Sequence, residues 1–283
     1  MKKANEIRFT KMSGSGNDFI FMDGMDGSYS WVDSMWVRQV CQRALSVGAD
    51  GLVVLEKDPR YDFTWRFFNS DGTIAEMCGN ASRCAARFAY EKGIAGSTMT
   101  FGTLAGPIRA EVHGKRAKVQ LTEPRLFASD LAIEVDGRPY RLFYIDTGVP
   151  HVVLEVEDLE GFPLVEVGRK IRFHEKFSPA GTNVNIAKVT GDNALALRTY
   201  ERGVEDETLA CGTGSVAAAL MLSMKRGFTP PVSVRAASGE TLTISWEGNV
   251  GTWAPVYFEG EVRFIYEGVL HPEAIQETPG RKL

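Results

Sequence analysis

Met77-Cys78-Gly79-Asn80-Ala81 and Ala210-Cys211-Gly212-Thr213-Gly214 put one cysteine and one glycine in front of two Ala-rich stretches, 133 residues apart. Each stretch reads as a helix. The first runs from about Cys78 to Lys92 and stops at Gly93, and the second runs from about Cys211 to Arg226 and stops at Gly227. Their middles are nearly free of charge. Ala81, Ala85, Ala86, Phe88 and Ala89 in one, and Val216, Ala217, Ala218, Ala219 and Leu220 in the other, suit helices enclosed by a curved sheet better than helices lying on a surface.

Working outward, the chain repeats itself. Ser15-Gly16-Asn17-Asp18-Phe19 stands 132 residues before Thr147-Gly148-Val149-Pro150-His151, and Ala49-Asp50-Gly51-Leu52-Val53 the same distance before Gly181-Thr182-Asn183-Val184-Asn185. The cysteines and the turns Ala105-Gly106 and Ser238-Gly239 are offset by 133, which one inserted residue explains. Such a long period indicates two copies of one domain rather than a solenoid. Within the first copy, Arg8 to Met12, Phe19 to Met22, Gly51 to Glu56 and Phe63 to Phe68 read as strands, and Met99 to Phe101 with Ile108 to Val112 as a hairpin. The predicted fold is α/β, with two pseudo-symmetric domains, each a barrel-like sheet around a central helix, and an active site in the cleft between them. The expected boundaries are 1–122 plus 263–283 for the N-terminal domain and 123–262 for the C-terminal one. The chain crosses near Glu123-Pro124-Arg125 and returns by a strand near Arg263 to Tyr266.

Composition narrows the function. The 283 residues are 44% hydrophobic with a net charge of −4, and the basic residues are scattered, so neither a nucleic acid nor a membrane is an expected partner. The segment Met1 to Ile7 lacks the apolar core of a signal peptide, and no run approaches bilayer length, so a soluble, cytoplasmic protein is expected. Four cysteines are too few for a disulfide scaffold. His113, His151, His174 and His271 show no metal-ligand spacing, so no metal is expected. Gly14 and Gly16 lack the third glycine and the following helix of a dinucleotide loop.

A thiol at a helix start feels unpaired N–H groups and the positive end of the helix dipole, which favours its anion and can bring its pKa to roughly 3.5–7.5. Two such thiols facing one carbon could take a proton from one side and return one to the other, which is racemase or epimerase chemistry. Mutual repulsion would keep one thiol protonated while the other is ionised. Cys41 and Cys84, outside this pattern, read as buried small hydrophobes.

The chain resembles the diaminopimelate epimerase family over nearly its whole length. The likeness rests on Lys11-Met12-Ser13-Gly14-Ser15-Gly16-Asn17-Asp18-Phe19, Phe68-Asn69-Ser70-Asp71-Gly72, Cys78-Gly79-Asn80, Arg83-Cys84, Pro150-His151, Tyr200-Glu201-Arg202-Gly203 and Glu207-Thr208-Leu209-Ala210-Cys211-Gly212-Thr213-Gly214. It implies epimerisation of LL-2,6-diaminopimelate to the meso isomer, without a cofactor, in lysine and peptidoglycan precursor synthesis. It further implies that Cys78 and Cys211 exchange the roles of base and acid with reaction direction. Asn17, Asn69, Asn183 and Arg202 fall at the family's substrate-binding positions, and His151 and Glu201 at positions near the reacting centre. The N–H groups of Gly79, Asn80, Gly212 and Thr213 would meet the substrate α-carboxylate. Two positions depart from the family pattern, Val149 where Asn often precedes Pro-His, and Ala81 where a second Gly commonly follows. The oligomeric state is left open, with a homodimer as the candidate assembly.

Three other readings compete. A proline or hydroxyproline epimerase would usually carry Gly-His after its first cysteine, where this chain has Gly79-Asn80. A thiol hydrolase would need a histidine base and would leave the second helix-start cysteine without purpose. A non-catalytic amino-acid-binding protein would tolerate serine at both thiols.

Overall fold

A computed structural model describes residues 6–275, so the predicted polar stretch before residue 6 and the tail beyond 275 lie outside the described residues. The described residues cluster into two compact units. One is the chain up to Ala117 together with the segment from Val262 onward, and the other is Lys118–Glu261.

The first unit opens with the hairpin β1 (Arg8–Gly14) and β2 (Asn17–Asp23), followed by the short helix α1 (Ser34–Val40), β3 (Gly51–Glu56), β4 (Phe63–Asn69) and the central helix α2 (Gly79–Glu91). The hairpin β5 (Thr98–Thr103) and β6 (Gly106–His113) comes next, and β7 (Arg116–Leu121) carries the chain across the boundary. Ser15 and Gly16 link β1 to β2 with positive φ (53° and 91°), the conformation that matches the twist of a two-residue hairpin.

The second unit contains β8 (Arg125–Val135), β9 (Arg138–Asp146), β10 (Pro150–Glu155), α3 (Leu164–Arg172), β11 (Asn183–Gly191), β12 (Ala194–Glu201) and β13 (Asp206–Thr208). The central helix α4 (Gly212–Arg226) and strands β14 (Val232–Arg235), β15 (Thr241–Trp246) and β16 (Val256–Glu261) complete it. The returning strand β17 (Arg263–Val269) pairs antiparallel with β1, as the segment near Arg263 predicts.

The repeat is written into strand register. In the first unit Phe19 stands beside Gly51 in a parallel pair, and Leu52 beside Phe68 in an antiparallel one. In the second, His151 stands beside Asn183 and Val184 beside Tyr200, each 132 residues later. Past the cysteines the offset grows, since Phe63 pairs with Phe101 and Leu195 with Val234. The order of pairings is the same in both copies.

Each set of strands is covered on two faces. Along β11, Val184 and Ile186 join Leu164, Val167 and Ile171 of α3 in one core, while Asn183 and Asn185 alternate to the face that meets α4. In the first unit, Ile20, Leu52 and Val54 pack with Val37 and Val40 of α1, and Phe21 stacks on Phe88 of α2 with centroids 5.4 Å apart. The central helix α4 is buried without a break from Gly214 to Ser223, and strands β10, β11, β12, β14, β15 and β16 all touch it. Each fully buried Leu or Met there contributes about 1.5–3 kcal/mol. The enclosed helices match the sequence reading. The outer helices α1 and α3 were not anticipated.

Candidate active site

Both cysteines are the N-cap residues of the central helices, in extended backbone conformation (Cys78 φ −147°, ψ 125°; Cys211 φ −122°, ψ 112°). Their carbonyls accept the first bonds of each helix, from Ser82 N–H at 2.8 Å and Ser215 N–H at 2.9 Å. The next N–H groups, those of Gly79 and Asn80 and of Gly212 and Thr213, belong to the first turn, where no earlier carbonyl of the helix is in position to accept them. Gly212 is needed for space, because a Cβ there would lie 2.8 Å from the Phe258 ring.

In the first unit, the tight turn after β1 delivers Asn17 to the start of α2. Asn80 Nδ2 donates to Asn17 Oδ1 (2.7 Å), and Asn17 Nδ2 donates to Asp50 Oδ2 (3.0 Å). The fully buried Arg83 donates from Nη2 to Asn80 Oδ1 (2.8 Å) and to Ser15 Oγ (2.7 Å). Behind this chain, Asp18 binds Lys11 and Arg43, and their hydrogen bonds and charges hold its carboxyl below the usual range although burial pushes it up. Asn69 is exposed at the end of β4, where Nδ2 donates to Thr73 Oγ1 at 3.0 Å.

In the second unit, four predicted residues, His151, Thr213, Cys211 and Glu201, lie on one connected set of contacts. His151 Nε2 is 2.9 Å from Thr213 Oγ1, which is 3.5 Å from Cys211 Sγ, and Gly214 N–H donates to the same sulfur at 3.4 Å. Glu201 also hydrogen-bonds Cys211, and its Oε1 accepts from the Thr208 hydroxyl at 3.0 Å. Asn183 ties two loops together, donating to Pro150 O (3.0 Å) and accepting from Arg202 N–H (2.9 Å), while Arg202 Nη1 donates to Ala180 O (3.2 Å). Val149, at the place of the family's Asn, is partly buried, and its carbonyl accepts from Thr147 N–H at 3.2 Å.

The electrostatics correct one expectation. A helix start was expected to bring a thiol pKa down, yet burial pushes Cys211 well above its ordinary value and the Glu201 carboxylate beside it adds to the rise; Thr213 and Gly214 pull the other way and lose. Desolvation of the anion outweighs two donors. Burial likewise pushes Glu201 up. It pushes His151 down to about 3, with the Arg202 charge in support, so the imidazole is neutral.

Cys41 and Cys84 are buried, and burial pushes the Cys41 thiol up to about 12. Among the described residues no group of three or more His, Cys, Asp or Glu is placed to hold a metal, and no helix is long and apolar enough to cross a membrane. The sequence reading passed over Asn185, which is fully buried beside His151, and Asp50, which holds Asn17. The signal for Asn185 was present: Asn183-Val184-Asn185 alternates polar and apolar in a strand, with both amides on the helix-facing side.

A sequence profile described as diaminopimelate epimerase matches residues 9–127 and 143–265. This chain belongs to the diaminopimelate epimerase family. A relative named diaminopimelate epimerase from Aquifex aeolicus is 46% identical, with 95% of this chain and 100% of the relative covered. One of the same name from Archaeoglobus fulgidus is 40% identical over 93% of this chain and 96% of its own. Family membership makes the chain an isomerase. Among solved structures, a hydroxyproline epimerase from Agrobacterium vitis with bound trans-4-hydroxy-L-proline superposes with a TM-score of 0.70 at 16% identity, covering 97% of this chain and 96% of that one. A PhzF-family phenazine biosynthesis protein from Bacillus anthracis gives 0.69 at 14%, covering 94% and 99%. These two share the fold.

Proposed function

We propose that Cys78 and Cys211 act as base and acid on the two faces of one α-carbon of diaminopimelate, whose epimerisation is the reaction of this family. The observation that carries the reading is that the two cysteines at helix N-caps among the described residues cap equivalent helices of a duplicated fold. A thiolate removes the α-proton, the electron pair passes into the carboxylate, and the opposite thiol delivers its own proton, so that each turnover leaves the two sulfurs with exchanged protonation. The upward push on Cys211 supports its entry as the protonated partner.

The α-proton is far less acidic than a thiol, so the charge building on the carboxylate has to be met. The first-turn N–H groups of Gly79, Asn80, Gly212 and Thr213 are assigned that task, each well-aimed donor being worth about 3 kcal/mol in the transition state. Asn17, Asn69, Asn183 and Arg202 are assigned to the rest of the substrate. Amides can donate and accept, and Arg pairs a carboxylate through two parallel bonds. Glu201 and His151 are assigned to the surroundings of the reacting centre. The reading includes no cofactor, a cytoplasmic location and a role in supplying lysine and cell-wall precursors.

Solvent deuterium incorporation at the α-carbon of LL- and meso-diaminopimelate tests the mechanism, in the intact protein and in Cys78→Ala and Cys211→Ala. Each substitution is expected to abolish epimerisation, and full activity in either refutes the two-thiol scheme. Free proline in the same assay separates this reading from a proline epimerase. The homodimer is part of the proposal, supported by Ile265, Tyr266 and Val269 on β17, which stand 51%, 45% and 49% exposed. Sedimentation as a monomer at assay concentration would remove it.

A further inference from the structure

Behind Cys211 lies a buried polar chain that the sequence motifs do not mark. Asn185 Nδ2 donates to Val152 O at 2.8 Å and lies 3.1 Å from His151 Nδ1, while its Oδ1 accepts from the Thr199 hydroxyl at 2.9 Å. The orientation of this amide is decided by the Val152 carbonyl, which can only accept, so the NH2 group has to face it. The second hydrogen of that NH2 then points at His151 Nδ1, which has to be the bare nitrogen. A neutral imidazole with a bare Nδ1 carries its proton on Nε2, and Nε2 faces the Thr213 hydroxyl. With one lone pair of Oγ1 engaged by that N–H, the hydroxyl proton is left to turn toward the sulfur.

We propose that Asn185 is a positioning residue that locks His151 in the Nε2–H tautomer, so that Thr213 donates its hydroxyl hydrogen to the Cys211 thiolate. The opposite tautomer would draw the Thr213 proton onto Nε2 and leave the hydroxyl able only to accept from a thiol, which disfavours the anion. Two charged groups act on the chain, Glu201 on Cys211 and Arg202 on His151. Burial keeps the imidazole neutral, so the relay works through tautomer and not through charge. Gly214 completes the arrangement, because a Cβ there would lie 2.3 Å from Asn185 Oδ1. The first unit has no such chain, since the positions equivalent to His151 and Asn185 are Phe19 and Val53.

The catalytic meaning rests on the two-thiol reading, but the test does not. In the 15N-labelled wild-type protein, two-bond 1H–15N correlations are expected to give His151 as the Nε2–H tautomer, and the Nδ1–H tautomer overturns the proposal. Iodoacetamide labelling mapped to Cys211 reads its thiolate fraction. Thr213→Val is expected to raise the Cys211 pKa by about one unit and slow labelling about tenfold, while Thr213→Ser keeps the wild-type rate. Asn185→Asp puts an acceptor against Nδ1 and is expected to reverse the tautomer and slow labelling by a similar factor. In the double variant Asn185→Asp/Thr213→Val the two effects are expected not to add, because both act through one hydroxyl. An unchanged rate in Thr213→Val overturns the relay, and so does an additive fall of about a hundredfold in the double variant, which would mark a simple effect of the new charge. Absence of deuterium exchange in the wild-type protein, with the tautomer as expected, would count against the two-thiol reading alone.

Discussion

Gly214→Ala sets two effects of opposite sign against each other. Gly214 sits in the first turn of α4 with helical backbone, so alanine by propensity would stabilise the helix by about 1 kcal/mol. The added Cβ, however, would stand 2.3 Å from Asn185 Oδ1 and 3.2 Å from Asn185 Cγ. Asn185 cannot swing aside freely, because Thr199, Val152 O and His151 hold its amide from three directions. Overpacking of this kind costs about 1–3 kcal/mol, and each hydrogen bond given up in relaxation costs about 1 kcal/mol more. The clash wins, leaving a net loss of about 1–2 kcal/mol. In a domain of this size that is a fall in Tm of roughly 3–6 °C. Calorimetry reads the stability, and solvent deuterium exchange on diaminopimelate is expected to fall with it, since His151 moves with Asn185. A variant as stable as the parent, or more stable, would refute the reasoning, because helix propensity would then have gone unopposed.

Three further outcomes are expected. His151 has a folded pKa of about 3 against roughly 6.5 in the unfolded chain, so below 6.5 the unfolded state binds a proton that the native state refuses. Stability is full above about 6.5 and is lost as pH falls toward 3, with a slope of up to about 1.4 kcal/mol per unit that His151→Gln removes in urea unfolding at a series of pH values. Glu201→Gln takes away the carboxylate that raises the Cys211 thiol, so labelling of Cys211 by iodoacetamide at fixed pH is expected to speed up; a slower rate would contradict the electrostatics. Cys41, buried and pushed up to about 12, is expected to stay unlabelled in the native protein near pH 8 and to react only once the chain is unfolded.

The parts legible in the sequence are those that local chemistry dictates. Alternation and β-branched runs gave Gly51–Glu56 to the residue, and Cys-Gly followed by alanines marked both central helices. The outer helices escaped notice because they are short and bury few apolar side chains: Val37 and Val40 in α1, and Leu164, Val167 and Ile171 in α3. Leu164, Val167 and Ile171 do follow helical spacing, but Pro163 in front and exposed Val165 beside them blur it. The pKa of Cys211 was misjudged for a different reason. A helix start is visible in sequence, whereas the depth to which α4 is sunk, and the carboxylate of Glu201 brought from β12, come only with the fold. Asn185 was passed over because an asparagine is read by default as a turn residue, and only the partners on β10 and β12 show what it holds.

Capping each helix with its cysteine has a genetic consequence. The groups assigned to meet the developing negative charge are peptide N–H groups, which every amino acid except proline supplies. Most point mutations at Asn80 or Thr213 would therefore alter the scenery around the reaction without deleting the donors themselves. Such changes are felt through the side-chain contacts of Asn80 and Thr213, while the peptide donors assigned to the carbanion are inherited with the backbone.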